Sequence, residues 1–242
     1  MPITAKEFSK FAASRRSTRD FLPKPVDQKL IDQLLTDGMS ASSWSNTRPF
    51  LFAVASGDKR DRISADLLRR WAALSEARRG GFLAKLKLSV TASYAIPLMD
   101  YWFSSSYDKS LVPRSQKVGR ELYQVLEVPR GDAKARDAQW ANNYRFFGAP
   151  TVIFVFIHKS LGVYAANDTG LFVQNLMLSA KAHGLGTCAL GSLTPWPRAV
   201  RKEFDIPKDY KMLYGIAVGY PSKAKVNGFK AERISIEEIS VK

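Results

Sequence analysis

Residues 151–157 read TVIFVFI, and this run decides the fold class of the 242-residue chain. β-Branched and aromatic side chains without polar alternation are typical of a strand that is buried on both faces. A long, largely apolar helix is predicted next, over 168–183, with Gly184 in a position that commonly ends helices. A helix is therefore expected to pack on a buried sheet.

The same alternation of helices and short apolar strands extends outward from this core. Asp27 follows Pro25 as a plausible N-cap of a helix, and Leu30 and Leu34 recur at helical spacing. The MLYGIAVG run at 212–219 is a second buried strand. Helices around a few central strands indicate an α+β fold. The other predicted elements are helices at 5–14, 27–39, 57–76 or beyond and 197–204, and strands at 50–55 and 187–190.

The pattern loosens between about residues 80 and 147. Prolines interrupt it, aromatic side chains cluster at Tyr101, Trp102 and Phe103, and only 114–127 is predicted as a helix. This stretch is either a second domain or an elaborated insertion that covers a site. It shows no compact core of its own, which favours one domain over 1–242 with an insertion at about 80–147. The aromatic cluster is expected to serve packing, or in part to roof a ligand.

Composition places the chain among ordinary globular proteins, with 45% apolar and 24% charged residues. The longest apolar stretch, 88–103, is too short for a membrane span and carries Pro97 and Asp100. The first residues lack the apolar core of a signal peptide, so a cytoplasmic location is expected.

One cysteine and two histidines limit the chemistry that side chains alone can supply. Cys188 cannot form an internal disulfide, and its apolar neighbours favour a place in the core. His183 precedes Gly184 and is expected to lie at a helix end. No zinc site or catalytic triad can be assembled from so few thiols and imidazoles, and no metal site is predicted. An enzyme of this composition would need a cofactor.

The formal charge of +15 leaves several partners open. Such an excess could attract nucleic acid, anionic lipid or phosphorylated small molecules. The excess is scattered in pairs such as Arg69-Arg70, a distribution that is also typical of a solvated basic surface. A basic nucleic-acid-binding protein without a cofactor is therefore kept as the alternative to an enzyme.

Three short polar clusters could bind a ligand. The first is the run 15–19 (RRSTR), whose forked guanidinium donors suit a phosphate. The second is the loop 42–49 (SSWSNTRP), and the third is the basic stretch 230–233 (KAER). Taken singly, each cluster is as well explained by a solvated turn, a connecting loop or a basic tail.

The order of these clusters resembles the nitroreductase family of flavoproteins. That family opens with Arg-Arg-Ser-x-Arg-x-Phe followed by Pro-Val, which here are residues 15–21 and 25–26. Its Pro-Ser-x-x-Asn-x-Gln-Pro loop corresponds to 42–49, and its Asp-x-Gly-x-x-x-Gln-Asn-Leu helix to 168–176. A Gly-Leu-Gly-Thr-Cys turn follows at 184–188. The resemblance covers about 1–57 and 148–242.

The resemblance implies a nitroreductase-like fold, with a central, mostly antiparallel sheet flanked by helices in an intertwined homodimer. It implies FMN as cofactor. Arg15 and Ser17, joined by Arg16, correspond to phosphate ligands, and Arg233 to a final phosphate clamp. Its implied activity is transfer of electrons from NAD(P)H to nitroaromatics, quinones or related electron-poor acceptors.

The flavin ring is implied to lie between two further segments. Arg19 resembles the cation at the pyrimidine edge, where it would stabilise the anionic reduced ring. Leu190, Gly191 and Ser192 resemble the segment that packs on the ring and offers a backbone N–H to N5. The flavin would carry the chemistry, and no catalytic side chain is predicted.

The remaining cofactor contacts are implied to come from the other subunit. Ser43, Trp44, Ser45, Asn46 and Arg48 belong to the loop that reaches the partner's FMN. Arg48 replaces the family's glutamine, and guanidinium has no acceptor. This arginine either favours an acidic substrate or pairs with a nearby carboxylate.

The same scaffold leaves three other activities open, namely dehalogenation, ene reduction and flavin fragmentation. A flavin-binding sensor or carrier without turnover is a further alternative. The sequence does not identify the physiological acceptor, and it does not show whether NADH or NADPH is the electron donor.

Overall fold

A four-stranded antiparallel sheet forms the centre of the computed structural model, which describes residues 3–101 and 107–241. The strands are β1 (Phe50–Ser56), β2 (Thr151–His158), β3 (Gly186–Leu190) and β4 (Tyr210–Gly219), in the order β1-β2-β4-β3. All three pairings are antiparallel. The α+β fold with a mostly antiparallel sheet is confirmed.

Helices cover both faces of this sheet. Thr4 and Glu7 form a reciprocal capping box at the start of α1, and Asp27 caps α2 by accepting from the Lys29 N–H, as predicted. The helices are α1 (Ala5–Ser14), α2 (Gln28–Met39), α3 (Gly57–Arg79), α4 (Phe82–Thr91), α5 (Val112–Val125), α6 (Ala133–Trp140), α7 (Gly162–Ala182) and α8 (Pro197–Arg201).

The TVIFVFI run lies in the middle of the sheet and serves two cores at once. Val152, Phe154 and Phe156 join the core that faces α3 and α8. The alternate residues of β2 join the core that faces α2 and α7. Because successive side chains of a strand point to opposite faces, a strand covered on both faces must be apolar throughout.

Helix α7 begins earlier than the sequence predicts. It starts at Gly162 and not at 168, because Leu161 and Ala165 are apolar enough to pack against the α2–α7 core. Its end agrees with the prediction. Gly184 adopts a φ of +73°, and the N–H groups of Gly184 and Leu185 donate to the carbonyls of Lys181 and Ala180. This pattern is the Schellman motif.

Two further helices form within 80–147, where the sequence predicts only one. The apolar residues Phe82 and Leu83 of α4 are each 78% exposed and α6 has only eight residues, so neither helix shows a clear inward-facing periodicity. Tyr144 and Phe146, by contrast, are buried in the core that faces α3 and α8. Trp102 and Phe103 of the aromatic cluster lie outside the described residues. None of the described helices is long and apolar enough to cross a bilayer.

Candidate cofactor site

The arginine-rich segment after α1 is held against the free edge of β3. Ser17 forms a parallel bridge with Thr187, and the Thr18 N–H donates to the Thr187 carbonyl at 2.9 Å. Thr18 is buried against Gly186, where an added Cβ would lie 2.3 Å from the Thr18 hydroxyl oxygen. Alternation along an extended segment therefore places Arg15, Ser17 and Arg19 on the side opposite Thr18.

These three side chains converge on Cys188. Burial raises the pKa of the Cys188 thiol, while Arg19, a hydrogen bond with Ser17 and the charge of Arg15 act in the opposite direction. The thiol is 3% exposed. Cys188 is thus a buried, protonated core residue beneath the segment, as expected from its apolar neighbours.

Arg15 and Arg233 approach each other although they are more than 200 residues apart in sequence. Burial, and secondly the charge of Arg233, lower the pKa of the Arg15 guanidinium. Neither side chain forms an ion pair within residues 3–101 and 107–241, and Arg233 donates only to the backbone carbonyls of Ala231 and Glu232. Two like charges held together without a carboxylate form a receptor for an anion such as a phosphate.

Arg16 lies on the other side of the segment from Ser17. Its guanidinium donates to the Gly228 carbonyl at 3.3 Å. It also lines a separate cavity of about 320 Å³ together with Arg15 and Lys181. The resemblance groups Arg16 with the phosphate ligands, and in the structure it lies beside Arg15 at this cavity while its guanidinium bonds to the Gly228 backbone.

The end of β3 offers open backbone beside the segment. Leu190 is buried, Gly191 is exposed, and the Ser192 hydroxyl oxygen is buried without a hydrogen-bond partner in the part of the chain that is described. β3 is the edge strand of the sheet, so the outer backbone groups beyond Thr187 are not used in the ladder. The unpaired hydroxyl and the free backbone amides lie next to a cationic segment. Together these groups fit the phosphate and the polar ring edge of FMN.

A cavity of about 700 Å³ connects Arg19 with the insertion. Tyr123 of α5, Trp140 of α6 and Phe147 contribute aromatic walls, and Asn142 adds an amide. This volume and lining are typical of small-molecule sites. The sequence analysis missed these residues because no motif marks them. The aromatic residues at 123 and 140 are the sequence feature that could have indicated a ligand cavity.

The loop 42–49 adopts a tight, left-handed conformation. Ser45, Asn46 and Arg48 have φ values of +49°, +58° and +44°. The Arg48 N–H donates to the Ser43 hydroxyl at 3.1 Å, and the Arg48 guanidinium donates to Asn46 and to the Met39 carbonyl. Arg48 forms no ion pair with a described carboxylate, so the expected alternative of such a pair is not seen.

This loop does not meet the arginine-rich segment within one chain. Trp44 contacts the beginning of α7, through Tyr164 and Asp168, whereas Lys181 at the other end of α7 lines a cavity with Arg15. A helix rises about 1.5 Å per residue, so these two ends are about 20 Å apart. The loop also precedes β1, on the sheet edge opposite β3. The structure thus brings together Arg15, Ser17, Arg19 and Arg233 but leaves residues 43–48 apart from them.

Comparison with known proteins gives a family match over most of the chain. The model of the nitroreductase family matches residues 12–220. A 4-nitrobenzoate reductase of Pseudomonas putida is 28% identical, over 96% of this chain and 94% of that protein. The nitroreductase NfnB of Mycolicibacterium smegmatis is 29% identical, over 97% of this chain and 92% of that protein.

A solved structure agrees with the fold as well. The crystal structure of the FMN-dependent nitroreductase NfnB from Mycobacterium smegmatis, in complex with NADPH, superposes with a TM-score of 0.83. It is 26% identical, and the match covers 98% of each chain.

Proposed function

The chain belongs to the nitroreductase family, and from that premise we propose that it is an FMN-dependent oxidoreductase. It takes electrons from NAD(P)H and passes them to nitroaromatics, quinones or related electron-poor acceptors. The similarity to 4-nitrobenzoate reductase and to an NADPH-bound, FMN-dependent structure supports this activity. When bound, FMN supplies the two-electron chemistry that the side chains cannot.

The observation that carries the proposal is the docking of the cationic segment 15–19 on the free edge of β3, where the Thr18 N–H donates to the Thr187 carbonyl at 2.9 Å. Arg15 and Arg233 would bind the phosphate, and Ser17 would add a hydroxyl donor. Arg19 would face the pyrimidine edge of the ring, and the backbone of 190–192 would offer an N–H to N5. The side chains would position the cofactor and tune its potential.

We further propose that acceptors enter through the 700 Å³ cavity between Arg19 and the insertion. Its aromatic walls, Tyr123 and Trp140, suit a planar ring. The charges at its rim balance, since Lys225 pairs with Glu127 at 3.2 Å and Asp20 neighbours Arg19.

The working unit in this proposal is a homodimer. The loop that carries Ser43 and Asn46 precedes β1, at the sheet edge opposite β3, so a second copy would bring it to the flavin. Val163 and Leu171 of α7 are exposed near this loop, at 74% and 42%. Exposed apolar residues on a long helix fit an interface between subunits.

The domain assignment and the location also belong to the proposal. We treat 1–242 as one domain with an insertion at about 80–147, since Tyr144 and Phe146 share the main core. We also propose a cytoplasmic location, which suits a chain whose one cysteine leaves it without an internal disulfide.

The proposal is tested by the colour and content of the purified protein. We expect a yellow protein that releases FMN, and not FAD, on denaturation, because the cations form a single phosphate receptor. A colourless protein that takes up no added FMN would reject it. Oxidation of NAD(P)H that depends on an added nitroaromatic then separates an enzyme from a flavin carrier.

A further inference from the structure

Asp168 is a buried charge that the proposed chemistry does not use. Its side chain lies in the second turn of α7 and is 3% exposed. It forms no ion pair with any described cation. Burying a carboxylate is costly unless hydrogen bonds compensate for the lost water. The hydrogen bonds of the Asp168 carboxylate therefore indicate its structural role.

Those contacts lead to the loop 42–49. The Trp44 backbone N–H donates to one carboxylate oxygen of Asp168 at 2.9 Å, and the Asn167 side chain donates to the other at 3.4 Å. The Trp44 ring also lies against Tyr164, with ring centroids 4.6 Å apart. Residues 164 and 168 are one helical turn apart on the same face of α7. Trp44 is thus held at two points by one helix.

The loop needs such external support. Ser45, Asn46 and Arg48 all have positive φ values, and this conformation is unfavourable for residues with a side chain. Trp44 itself is 56% exposed, so burial of its ring does not fix the loop. The hydrogen bonds among Ser43, Asn46 and Arg48 lie within the loop. Its other described contacts with the rest of the chain are at its end, where Arg48 donates to the Met39 carbonyl and the Pro49 carbonyl accepts from the His158 N–H.

We propose that Asp168 and Tyr164 are positioning residues that hold the loop 43–46 in its flavin-contacting conformation before FMN binds. This inference rests on the proposed function, in which the loop completes the flavin site of the partner subunit. It assigns a role to α7 beyond packing, because the helix that presents Val163 and Leu171 to solvent also holds the loop. FMN affinity and subunit contact are then coupled through one helix.

The test compares Asp168→Ala and Asp168→Asn with Thr169→Val as matched control. Thr169 is buried on the same turn, but its hydroxyl bonds only to the Ala165 carbonyl of its own helix. Two quantities are measured in each variant, the FMN Kd and the amide hydrogen exchange of 43–47 in the flavin-free protein. We expect Asp168→Ala to raise the Kd by about tenfold and to speed exchange, because the part-buried Trp44 N–H loses its acceptor.

Asp168→Asn keeps an acceptor oxygen and should restore most of the affinity, and Thr169→Val should change neither quantity. Tyr164→Leu provides an independent arm if Asp168→Ala does not fold, and should also speed exchange of 43–47. An Asp168→Ala protein whose Kd or loop exchange matches that of the control would overturn the inference. A wild-type protein that takes up no FMN would instead reject the proposed function, and the exchange measurement would still decide whether Asp168 and Tyr164 order the loop.

Discussion

At the scale of single residues, alternation along the segment 15–19 decides which side chains can act together. Arg15, Ser17 and Arg19 share a side, whereas Thr18 is buried against Gly186 and Arg16 turns to the Gly228 carbonyl. The five polar residues of the segment thus have two roles. One side of the segment anchors it to β3, and the other side is available to a ligand.

Arg19→Ala is expected to make the midpoint potential of bound FMN more negative while weakening FMN binding only modestly. The negative charge that Arg19 would meet arises on reduction, so its loss destabilises the reduced state. Removal of a charge-assisted hydrogen bond costs about 1.5–3 kcal/mol, which corresponds to about 30–65 mV for two electrons. Potentiometry against a redox dye measures the shift.

Lys29→Ala serves as the control for this measurement, since Lys29 is an exposed cation on α2 and lies away from the segment. A variant at position 19 with the wild-type potential would show that Arg19 does not face the pyrimidine edge of the flavin.

At the scale of elements, α7 organises the candidate site. Its beginning holds Trp44 through Asp168, and its end, closed by Gly184, lies beside the segment that carries Arg15. These two ends of the helix are about 20 Å apart. The loop 42–49, which α7 holds, carries two departures from the family motif, Ser42 for its proline and Arg48 for its glutamine.

We expect Arg48→Gln to lower kcat/KM for a nitrobenzoate while sparing neutral nitrobenzene. The Arg48 guanidinium bonds to carbonyl and amide oxygens, and no described carboxylate neutralises its charge. An uncompensated cation near the flavin pocket would attract and orient anionic acceptors. Steady-state kinetics with the two acceptors measure the gap, which should shrink with added salt.

Equal losses for both acceptors would identify Arg48 as a purely structural residue of the loop, whose contacts with Asn46 and Met39 maintain its shape. Such a result would leave the proposed flavin chemistry intact.

At the scale of the whole molecule, the proposed dimer would join the loop 42–49 of one chain to the cationic segment of the other, next to exposed apolar residues of α7 such as Leu171. Leu171→Arg is expected to dissociate the dimer and to lower FMN affinity in parallel, because each flavin would need residues of both subunits. Sedimentation velocity with absorbance at a flavin wavelength measures both quantities in one experiment.

Leu111→Arg at the start of α5 is the matched control, because Leu111 is exposed to a similar extent, 47% against 42% for Leu171. A stable monomer saturated with FMN, in either the wild type or Leu171→Arg, would contradict the dimeric site.

The sequence alone determined the elements that depend on local patterns. Unbroken apolarity predicted β2, helical spacing and Asp27 predicted α2, and the position of Gly184 predicted the end of α7. The ordered motifs also led to the family, which the match over 12–220 confirms. These features are local because side-chain period, capping and turn geometry involve residues close in sequence.

Only the tertiary structure decided which distant residues meet. The approach of Arg233 to Arg15, the bond from Trp44 to Asp168 and the cavity between Arg19 and the insertion join segments that no short-range pattern relates. α4 and α6 were missed because Phe82 and Leu83 of α4 are exposed and α6 has only eight residues, so neither carries a clear periodic signal. Burial and long-range packing set these contacts, and they become visible only when the whole chain is folded.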